Sequence, residues 1–443
     1  MRPAPSHERA VAGLTKPRRI SRLLAFAHGL MADVSPLRVS PPFRRLWVGV
    51  LANSIGARLT TIVVAIQVYR ISGSSFDVGL LGAAALLPLS VFGVYGGAIA
   101  DAVDRRSLMI WATAGSALCS AVLVAQAALG VRSLALLYLV VAAQSGLFAT
   151  VNPARQAAIP ALVGTDLLAP ANALQQLASN LSQTLGPLLG GALLAWQGFT
   201  ITYLVDLATF AVVLYSVVRL PRLPPGGTPA SDRASFASIL EGARFLRTKR
   251  VVLMTFLLDL NATIFGMPQA LFPAVAGQFY TGGAGTVGAL AAAPAVGAVA
   301  GGVFSGGLGR VRRQGLAILM AITAWGAAIT CFGFSRTLWL GLLLLAVAGG
   351  ADMVSAVFRN AILLESTPDA FRGRLIGIYV VVVVAGPNLG DVESGAIASI
   401  TNETISIVSG GLLCILGVFI LTAIMPSFAR YRRGLDGLRP HDQ

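Results

Sequence analysis

The chain alternates long apolar segments with short polar ones. From residue 46 onward it contains twelve predominantly apolar runs. Each is about long enough to cross a bilayer, since roughly 20 helical residues at ~1.5 Å each span the ~30 Å hydrocarbon core. A transmembrane barrel is not indicated, because barrel strands alternate in segments of about ten residues. The pattern predicts an all-α membrane protein with twelve transmembrane helices. The runs cover residues 46–69, 77–100, 107–129, 133–154, 168–195, 199–219, 251–279, 284–308, 315–334, 337–364, 375–400 and 404–425.

A long polar segment in the middle of the chain divides the runs into two sets of six. It contains several prolines and glycines and ends in a basic cluster. We therefore predict a basic cytoplasmic tail at 1–43, an N-terminal six-helix half at 44–219, a cytoplasmic linker at 220–250, a C-terminal six-helix half at 251–426 and a cytoplasmic tail at 427–443. Met31 is an alternative start to Met1, because the sequence from there enters the first span without the preceding basic segment.

The basic residues are distributed unequally between the two sides of the predicted bundle. Hydrophobic residues make up 56% of the chain and charged residues 12%, so the net charge of +15 does not indicate a soluble nucleic-acid-binding protein. If the N-terminus is inside, the Lys and Arg residues are almost all inside, with Arg359 counted at the inner end of run ten. The exceptions are Arg70, Arg132 and Arg336, which fall outside, and Arg58, which lies within run one. The positive-inside rule predicts a multi-pass inner-membrane protein with both termini cytoplasmic and no nucleic-acid partner.

The predicted spans lack the residues on which many enzymes and metal sites depend. All three histidines lie in the tails, and the three cysteines lie in apolar runs without other metal ligands nearby. We expect no disulfide framework, no metal site and no cofactor. A membrane-embedded enzyme is the less favoured alternative, because it would need His, Cys or paired acids converging at one depth.

A glycine-rich polar hairpin joins runs two and three. Gly97, Asp101, Arg105 and Arg106 belong to the pattern Gly-Gly-x-x-x-Asp-x-x-x-Arg-Arg, and a partial copy stands at 301–310 in the second half. The pattern resembles the signature loop of the major facilitator superfamily of transporters. The resemblance implies two six-helix halves that rock about a central site. It also implies that Asp101 faces the start of run eleven, while Arg105 and Arg106 hold the inner gate closed.

Five ionisable residues inside the predicted spans are candidates for substrate binding or proton coupling, because a charge at the bilayer centre costs about 2.5 to 3.5 kcal/mol on insertion scales. Arg58 lies too deep in run one to reach the interface and should face the cavity or pair with an acid. Asp259 and Asp352 lie on helices that line the cavity in this superfamily, where a proton and a substrate could compete for one carboxylate. Asp391 and Glu393 lie about 200° apart on a helix, so only one should face the cavity, and Asp391 is preferred.

A glycine and proline motif in run five has two interpretations. Gly186, Pro187, Gly190 and Gly191 resemble the end of a motif found in drug/proton antiporters of the superfamily, which favours export over uptake. The other interpretation is a kink that allows close helix packing. Asp206, on a helix that is peripheral in this superfamily, is expected to make a structural hydrogen bond.

Segments over most of the chain resemble the enterobactin exporter branch of the superfamily, most clearly at 261–315, 355–379 and 390–417. This resemblance implies efflux of siderophores, macrolides or other bulky amphipathic compounds. We expect a monomer in the lipid bilayer, with a small-molecule substrate and protons as its partners. The hypothesis is antiport, in which protons from outside protonate Asp391 or Asp259 and the substrate is released outward. An uptake carrier of the same fold remains the alternative.

Overall fold

The computed structural model of the protein describes residues 33–224, 244, 246, 248–303, 311–366 and 369–431. Within these ranges the side chains of 94–98, 100–101, 369–374 and 376–381 are not described. Most of the predicted linker at 220–250 therefore lies outside the described residues, as do most of the two predicted tails. The domain boundaries drawn from the sequence remain predictions.

Long helices make up the described part of the chain, and no strand occurs within it. A one-turn helix at Ser35–Val39 precedes the first long helix, and a short 3-10 helix at Pro426–Arg430 follows the last. Together the long helices make the twelve crossings that the sequence predicted. They are α1 Pro41–Ser72, α2 Ser75–Ala102, α3 Arg105–Ala128, α4 Leu134–Val163, α5 Leu168–Val218, α6 Arg250–Phe265, α7 Phe272–Gln278, α8 Ala284–Val303, α9 Gln314–Phe334, α10 Leu338–Ser366, α11 Asp369–Ile400 and α12 Glu403–Ile424.

Helix α5 supplies two crossings. Its 51 residues would measure about 75 Å if straight, far more than a bilayer requires. The helix reverses at Gly198, whose φ of 76° and ψ of −178° are not helical. This positive φ favours glycine, because other residues would bring Cβ against the backbone. Gly198 therefore separates spans five and six, in agreement with the two apolar runs.

Helices α6 and α7 form a single broken crossing. The predicted run 251–279 is interrupted after Phe265, where a 3-10 turn at Gln269–Leu271 leads into α7. Two other helices provide partners for the interrupted backbone. The indole nitrogen of Trp325 donates to the carbonyl of Gly266 (2.9 Å), and the carboxylate of Asp391 accepts from the backbone nitrogen of Ala270 (2.9 Å). The break is thus a specific structural feature of the second half.

Glycines allow helices to pack closely within each half. In the first half, Gly49 and Gly56 of α1 lie against span six, where a Cβ would meet Ser216 at one position and Asp206 and Thr209 at the other. Asp206 is fully buried and accepts a 2.6 Å hydrogen bond from the Ser120 hydroxyl of α3. The structure therefore places Asp206 in the structural role expected of it.

Helices α2 and α11 join the two halves at one end of the bundle, which we call the gate end. A Cβ on Gly79 would meet the carbonyl oxygen of Asp391, and one on Gly395 would lie 2.7 Å from the carbonyl oxygen of Ser75. The Ser75 hydroxyl also donates to the carboxylate of Glu403 (3.2 Å). Small residues let these backbones approach closely.

Helices α5 and α8 make a second contact between the halves near the same end. A Cβ on Gly191 would meet the carbonyl of Ala284, and one on Gly288 would meet the carbonyl of Pro187. Both pairs of helices therefore close the gate end through backbone contact and leave no room for larger side chains.

The opposite end is open between the halves in the described part of the structure. Helix α2 is buried around Val78 and Gly79, but its second half is exposed at Leu87 (71%), Val91 (53%) and Phe92 (44%). Since Val91 and Phe92 are consecutive, this part of the helix is uncovered on more than one face. From the glycine contacts at one end and the exposure of α2 at the other, we infer a cavity between the halves that is shut at the gate end and open toward the basic hairpin.

Exposed tryptophans mark both edges of the apolar surface. Trp196 (82% exposed) and Trp339 (68%) lie near the gate end, and Trp111 (77%) lies near the open end. Tryptophans are typical of the two membrane interfaces. The long apolar helices establish a multi-pass membrane protein, whereas the assignment of the open end to the cytoplasm rests on the positive-inside rule and remains a prediction.

Replacing Gly288 with alanine tests the gate contact. The new Cβ would collide with the backbone of Pro187, and overpacking of this kind costs about 1–3 kcal/mol. Gly288→Ala should lower the thermal unfolding midpoint of the purified protein. Gly285→Ala is the matched control, because it lies on the same helix and its new Cβ would have no other atom within 4 Å. Equal midpoints for the two variants would contradict the described contact.

Candidate functional site

The ionisable residues predicted inside the spans fall into three separate places. Asp259 of α6 and Asp352 of α10 meet at a common arginine, Arg359 of α10. Asp391 of α11 binds the broken backbone between α6 and α7. Arg58 of α1 is isolated from both of these groups among the described contacts. The structure thus brings two of the predicted candidates together and separates the others.

Arg359 holds the two carboxylates with its two terminal nitrogens. Its Nη1 lies 2.7 Å from Oδ1 of Asp259, and its Nη2 lies 3.4 Å from Oδ1 of Asp352. The side chains of Arg359 and Asp259 are only 4% and 3% exposed, whereas that of Asp352 is 42% exposed. Asp352 and Arg359 share a face of α10 because they are seven residues, about two turns, apart. We call these three residues the carboxylate–arginine cluster.

Arg359 is placed at the inner end of run ten by the sequence and is not among the candidate site residues predicted from it. It lies in the last third of α10, and its side chain is buried within the bundle. A signal was present in the sequence, because Arg359 falls within an apolar run and corresponds in the internal repeat to Arg155 of the first half. Its partners could not be read there, since Asp259 lies on a different helix.

Several polar atoms in and beside the carboxylate–arginine cluster have no hydrogen-bond partner among the described residues. They are Oδ2 of Asp259, Nε of Arg359 and the hydroxyl of Ser355, one turn before Arg359. A buried ion pair is stable only when its geometry is good and its remaining polar atoms are satisfied. The cluster also has two acids for one base, so it carries a net negative charge when fully ionised. This arrangement suits a site that binds and releases a proton.

The preferred cavity acid, Asp391, already has a structural contact. Its Oδ1 accepts the backbone hydrogen bond from Ala270, which satisfies part of the break in span seven. Glu393, two residues later, is half-buried, and its Oε1 has no hydrogen-bond partner in the part of the chain that the structure describes. The hydrogen bond from Ala270 explains Asp391 as a structural residue, since any accepting oxygen at this place could make it. A role of Asp391 or Glu393 in transport remains a prediction.

Arg58 has an exposed side chain although it lies near the middle of a membrane span. Among the described residues it has no ion pair. The opposite face of α1 is occupied by Gly56, which lies against span six, and the Cβ atom of Arg58 adjoins Gly186 of α5. The expectation that it pairs with an acid is therefore not met in this conformation, whereas exposure inside the bundle agrees with a position facing the cavity.

The signature hairpin is shorter than the sequence suggested. Helix α2 continues to Ala102, so Asp101 lies in its last turn, and only residues 103–104 separate it from α3. The surroundings of Gly97 and the side chain of Asp101 are outside the described part of the structure. Among the described contacts, Arg105 donates to the carbonyl of Ala157 (3.4 Å) and Arg106 to that of Val218 (2.7 Å).

Both hairpin arginines therefore donate to carbonyl groups of their own half in this conformation. Their role in holding the inner gate closed remains a prediction for the opposite conformation.

The motif at Gly186, Pro187, Gly190 and Gly191 is a packing surface. A Cβ on Gly186 would meet Arg58, one on Gly190 would lie 3.0 Å from the Leu59 carbonyl, and Gly191 faces α8 across the gate. Pro187 lies inside the helix, and the residue with non-helical φ and ψ within α5 is Gly198, so the kink at this motif remains a prediction. Close packing is thus the interpretation that the structure supports.

Asp104 has a structural role in the hairpin that sequence reasoning missed. It caps α3 by accepting hydrogen bonds from the backbone nitrogen and hydroxyl of Ser107 (3.2 and 2.9 Å), and it also accepts one from the backbone nitrogen of Leu223 (3.1 Å). Burial acts to raise the pKa of Asp104, but these hydrogen bonds outweigh it and the pKa is lowered. The usual preference for Asp at a helix N-cap could have identified it.

Replacing Asp104 tests this attachment between the hairpin and the start of the linker. Asp104→Ala should cost about 0.5–2 kcal/mol of stability. Asp104→Asn should cost less, because its amide oxygen can still cap Ser107 whereas its NH2 group cannot accept from the Leu223 nitrogen. Since the folded-state pKa is lowered, the carboxylate's contribution is complete above its ordinary pKa of 3.8 and is lost as the pH falls through the folded value. Thermal unfolding at neutral pH provides the measurement, and equal losses in both variants would contradict the cap.

Removing single members of the carboxylate–arginine cluster should affect stability unequally. Asp259→Asn leaves the buried Arg359 without its closer partner, and breaking a buried pair typically costs about 3–5 kcal/mol. Asp352→Asn, at the exposed carboxylate, should cost much less. The double variant Asp259→Asn/Arg359→Gln should recover part of the loss, because neither charge then remains. Thermal unfolding of the purified variants measures this, and additive losses in the double variant would contradict the pairing.

Comparisons with known proteins agree with this architecture. The family model described as transmembrane secretion effector matches residues 31–430. The enterobactin exporter EntS of Shigella boydii serotype 18 is 30% identical over 409 residues, which cover 91% of this chain and 96% of the relative, and EntS of Escherichia coli O157:H7 has the same identity and coverage.

Solved transporters show the same fold at low sequence identity. The nucleoside transporter NupG has a TM-score of 0.69 at 13% identity, covering 86% of this chain and 98% of that one. A bacterial homologue of the human lysosomal transporter Spinster, in an inward-facing and unoccupied conformation, has a TM-score of 0.66 at 17% identity, covering 88% and 96%. The chain therefore belongs to the major facilitator superfamily, in its transmembrane secretion effector family, and is a transporter and not an enzyme.

Proposed function

We propose that the protein is a secondary active exporter of siderophores or similar small amphipathic molecules, working by alternating access with proton antiport. The observation that carries the proposal is the identity to enterobactin exporters over nearly the full length of both chains. The cavity, shut at the gate end and open at the other, supports a transport path between the halves. The basic hairpin at the open end supports the inner membrane as the location, with that end and both termini in the cytoplasm.

The gate end supports a rocking mechanism. Its contacts between α2 and α11 and between α5 and α8 depend on glycine backbones, with one side-chain hydrogen bond from Ser75 to Glu403. Such contacts can separate without exposing an ion pair to lipid. When the gate end opens, the hairpin end would close, and Arg105 and Arg106 would then be near the second half.

The carboxylate–arginine cluster is the proposed coupling site. Asp352 is exposed to the cavity, while Asp259 is buried behind it against the same arginine. When one carboxylate is protonated, Arg359 keeps an ion pair only with the other carboxylate. Uptake of a proton therefore changes the interaction that holds α6 and α10 together. Asp259 is thus the better supported of the two proton acceptors proposed from the sequence, since Asp391 already accepts a hydrogen bond from the backbone of Ala270.

Transport of enterobactin into everted membrane vesicles tests the proposal. With an inside-acid pH gradient, vesicles containing the protein should accumulate enterobactin, and collapse of the gradient should abolish the accumulation. Asp259→Asn and Asp352→Asn should reduce it to the level of vesicles without the protein. Asp166→Asn, an exposed acid between α4 and α5, is the matched control and should transport normally.

Each part of the proposal has its own contrary result. Accumulation that persists without the gradient would contradict antiport, and full transport by both cluster variants would contradict the coupling site. Exit of enterobactin from preloaded everted vesicles, driven by the gradient, would indicate an uptake carrier. If there is no movement of enterobactin in either direction, it is not the substrate.

A further inference from the structure

We propose that Arg58 and a stripe of polar side chains on α5 form a binding site for a carboxylate-type anionic group of the transported molecule. The site rests on the proposed function only in taking the cavity between the halves as the transport path. It would explain why a membrane span carries a cation with no acidic partner among the described residues.

The position of Arg58 leaves its charge facing the cavity. Gly56 lies about 200° from it around α1 and adjoins Asp206 and Thr209 of span six, so Arg58 lies on the side of α1 that faces away from span six. Its Cβ atom adjoins Gly186 of α5. Because the side chain is exposed at mid-span, it lies where water and solutes can reach it, near the blind end of the cavity.

The face of α5 beside Arg58 is polar. Gln176, Ser179, Asn180 and Gln183 follow one another at helical spacing, and they are exposed apart from Asn180, which is half-buried. Gly186 continues the same face, three residues or about 4.5 Å beyond Gln183. The amide of Gln176 donates to Oδ1 of Asn180 (3.1 Å), and that of Gln183 donates to the Ser179 hydroxyl (3.3 Å).

The opposite face of α5 identifies the side that lipid covers. Leu177, Leu181, Leu185 and Leu188 are 36–39% exposed and lie on the other side of the helix from the polar stripe. Amide side chains facing hydrocarbon would lose their water without gaining partners, which is costly. The leucine face therefore meets lipid, and the polar stripe borders the cavity together with Arg58.

The chemistry of this surface selects an anion. A guanidinium presents donors in a planar fork that matches a carboxylate, and amide nitrogens add further donors. The stripe contains no acid, so nothing on it neutralises Arg58. The other arginine deep in the first half, Arg155, already donates to Oδ1 of Asn152 (2.8 Å). A group with a negative charge and several acceptor oxygens complements this surface.

A pair of probes that differ only in charge tests the site. Dansyl-phenylalanine carries a carboxylate, and its amide has nearly the same size and apolar surface but is neutral. Binding of each to the purified full-length protein in detergent is followed by the increase in dansyl fluorescence. The unmodified protein should bind the carboxylate more tightly than the amide.

The variants separate the role of the charge from a structural role. Arg58→Gln should weaken carboxylate binding by about tenfold or more, the range expected for a charge-assisted hydrogen bond, and leave amide binding unchanged. Arg58→Lys should retain part of the preference, and Gln183→Leu should weaken carboxylate binding more than amide binding. Arg70→Gln is the matched control, since it removes a charge at the end of the same helix, where Arg70 stacks on Phe199, and it should bind both probes normally.

The outcomes distinguish this inference from the proposed function. Equal loss of both probes in Arg58→Gln, or no preference for the carboxylate in the unmodified protein, would overturn the anion site. A preference that depends on Arg58 supports the site whatever the direction of transport. Failure of enterobactin to accumulate in vesicles would then concern the substrate or direction alone.

Discussion

Backbone contact at glycine is the constraint on which this structure depends. In lipid there is no hydrophobic gain from bringing apolar helices together, so close packing of small residues must hold them. At the gate end, Gly79 and Gly395 let α2 and α11 touch, and Gly191 and Gly288 do the same for α5 and α8. These contacts define which end is closed, and hence the cavity between the halves and the side from which it is reached.

The two halves differ in whether the charged residues inside their spans have partners of opposite charge. In the second half, Arg359 is shared by Asp259 and Asp352, so each of these two acids has a basic partner inside the protein. In the first half, Arg58 has no acidic partner among the described residues, and its neighbours on α5 are neutral. A transporter with this division could use one half for coupling and the other for recognition. The two halves repeat the same arrangement of helices and glycines, but their charged residues differ.

The broken crossing connects these features to the gate. Asp391 reaches the 3-10 turn between α6 and α7, and the carbonyl of the same residue lies against Gly79 across the gate. Movement of α11 away from α2 therefore acts on a residue that also supports span seven. Asp259 lies on α6, just before the break, so the gate and the carboxylate–arginine cluster are linked through one helix.

The sequence by itself determined the number of crossings, the division into two halves, the family and most of the charged candidates. This was possible because lipid forces each span to satisfy its backbone within one apolar helix, which is a local property of the chain. Only the tertiary structure decided that Arg359 holds Asp259, that Asp391 caps a break in span seven and that Gly186 is a packing surface while Gly198 makes the turn. Each of these depends on which helices become neighbours and on how closely they approach. No local sequence pattern indicates such contacts, because the residues that make them are far apart in the chain.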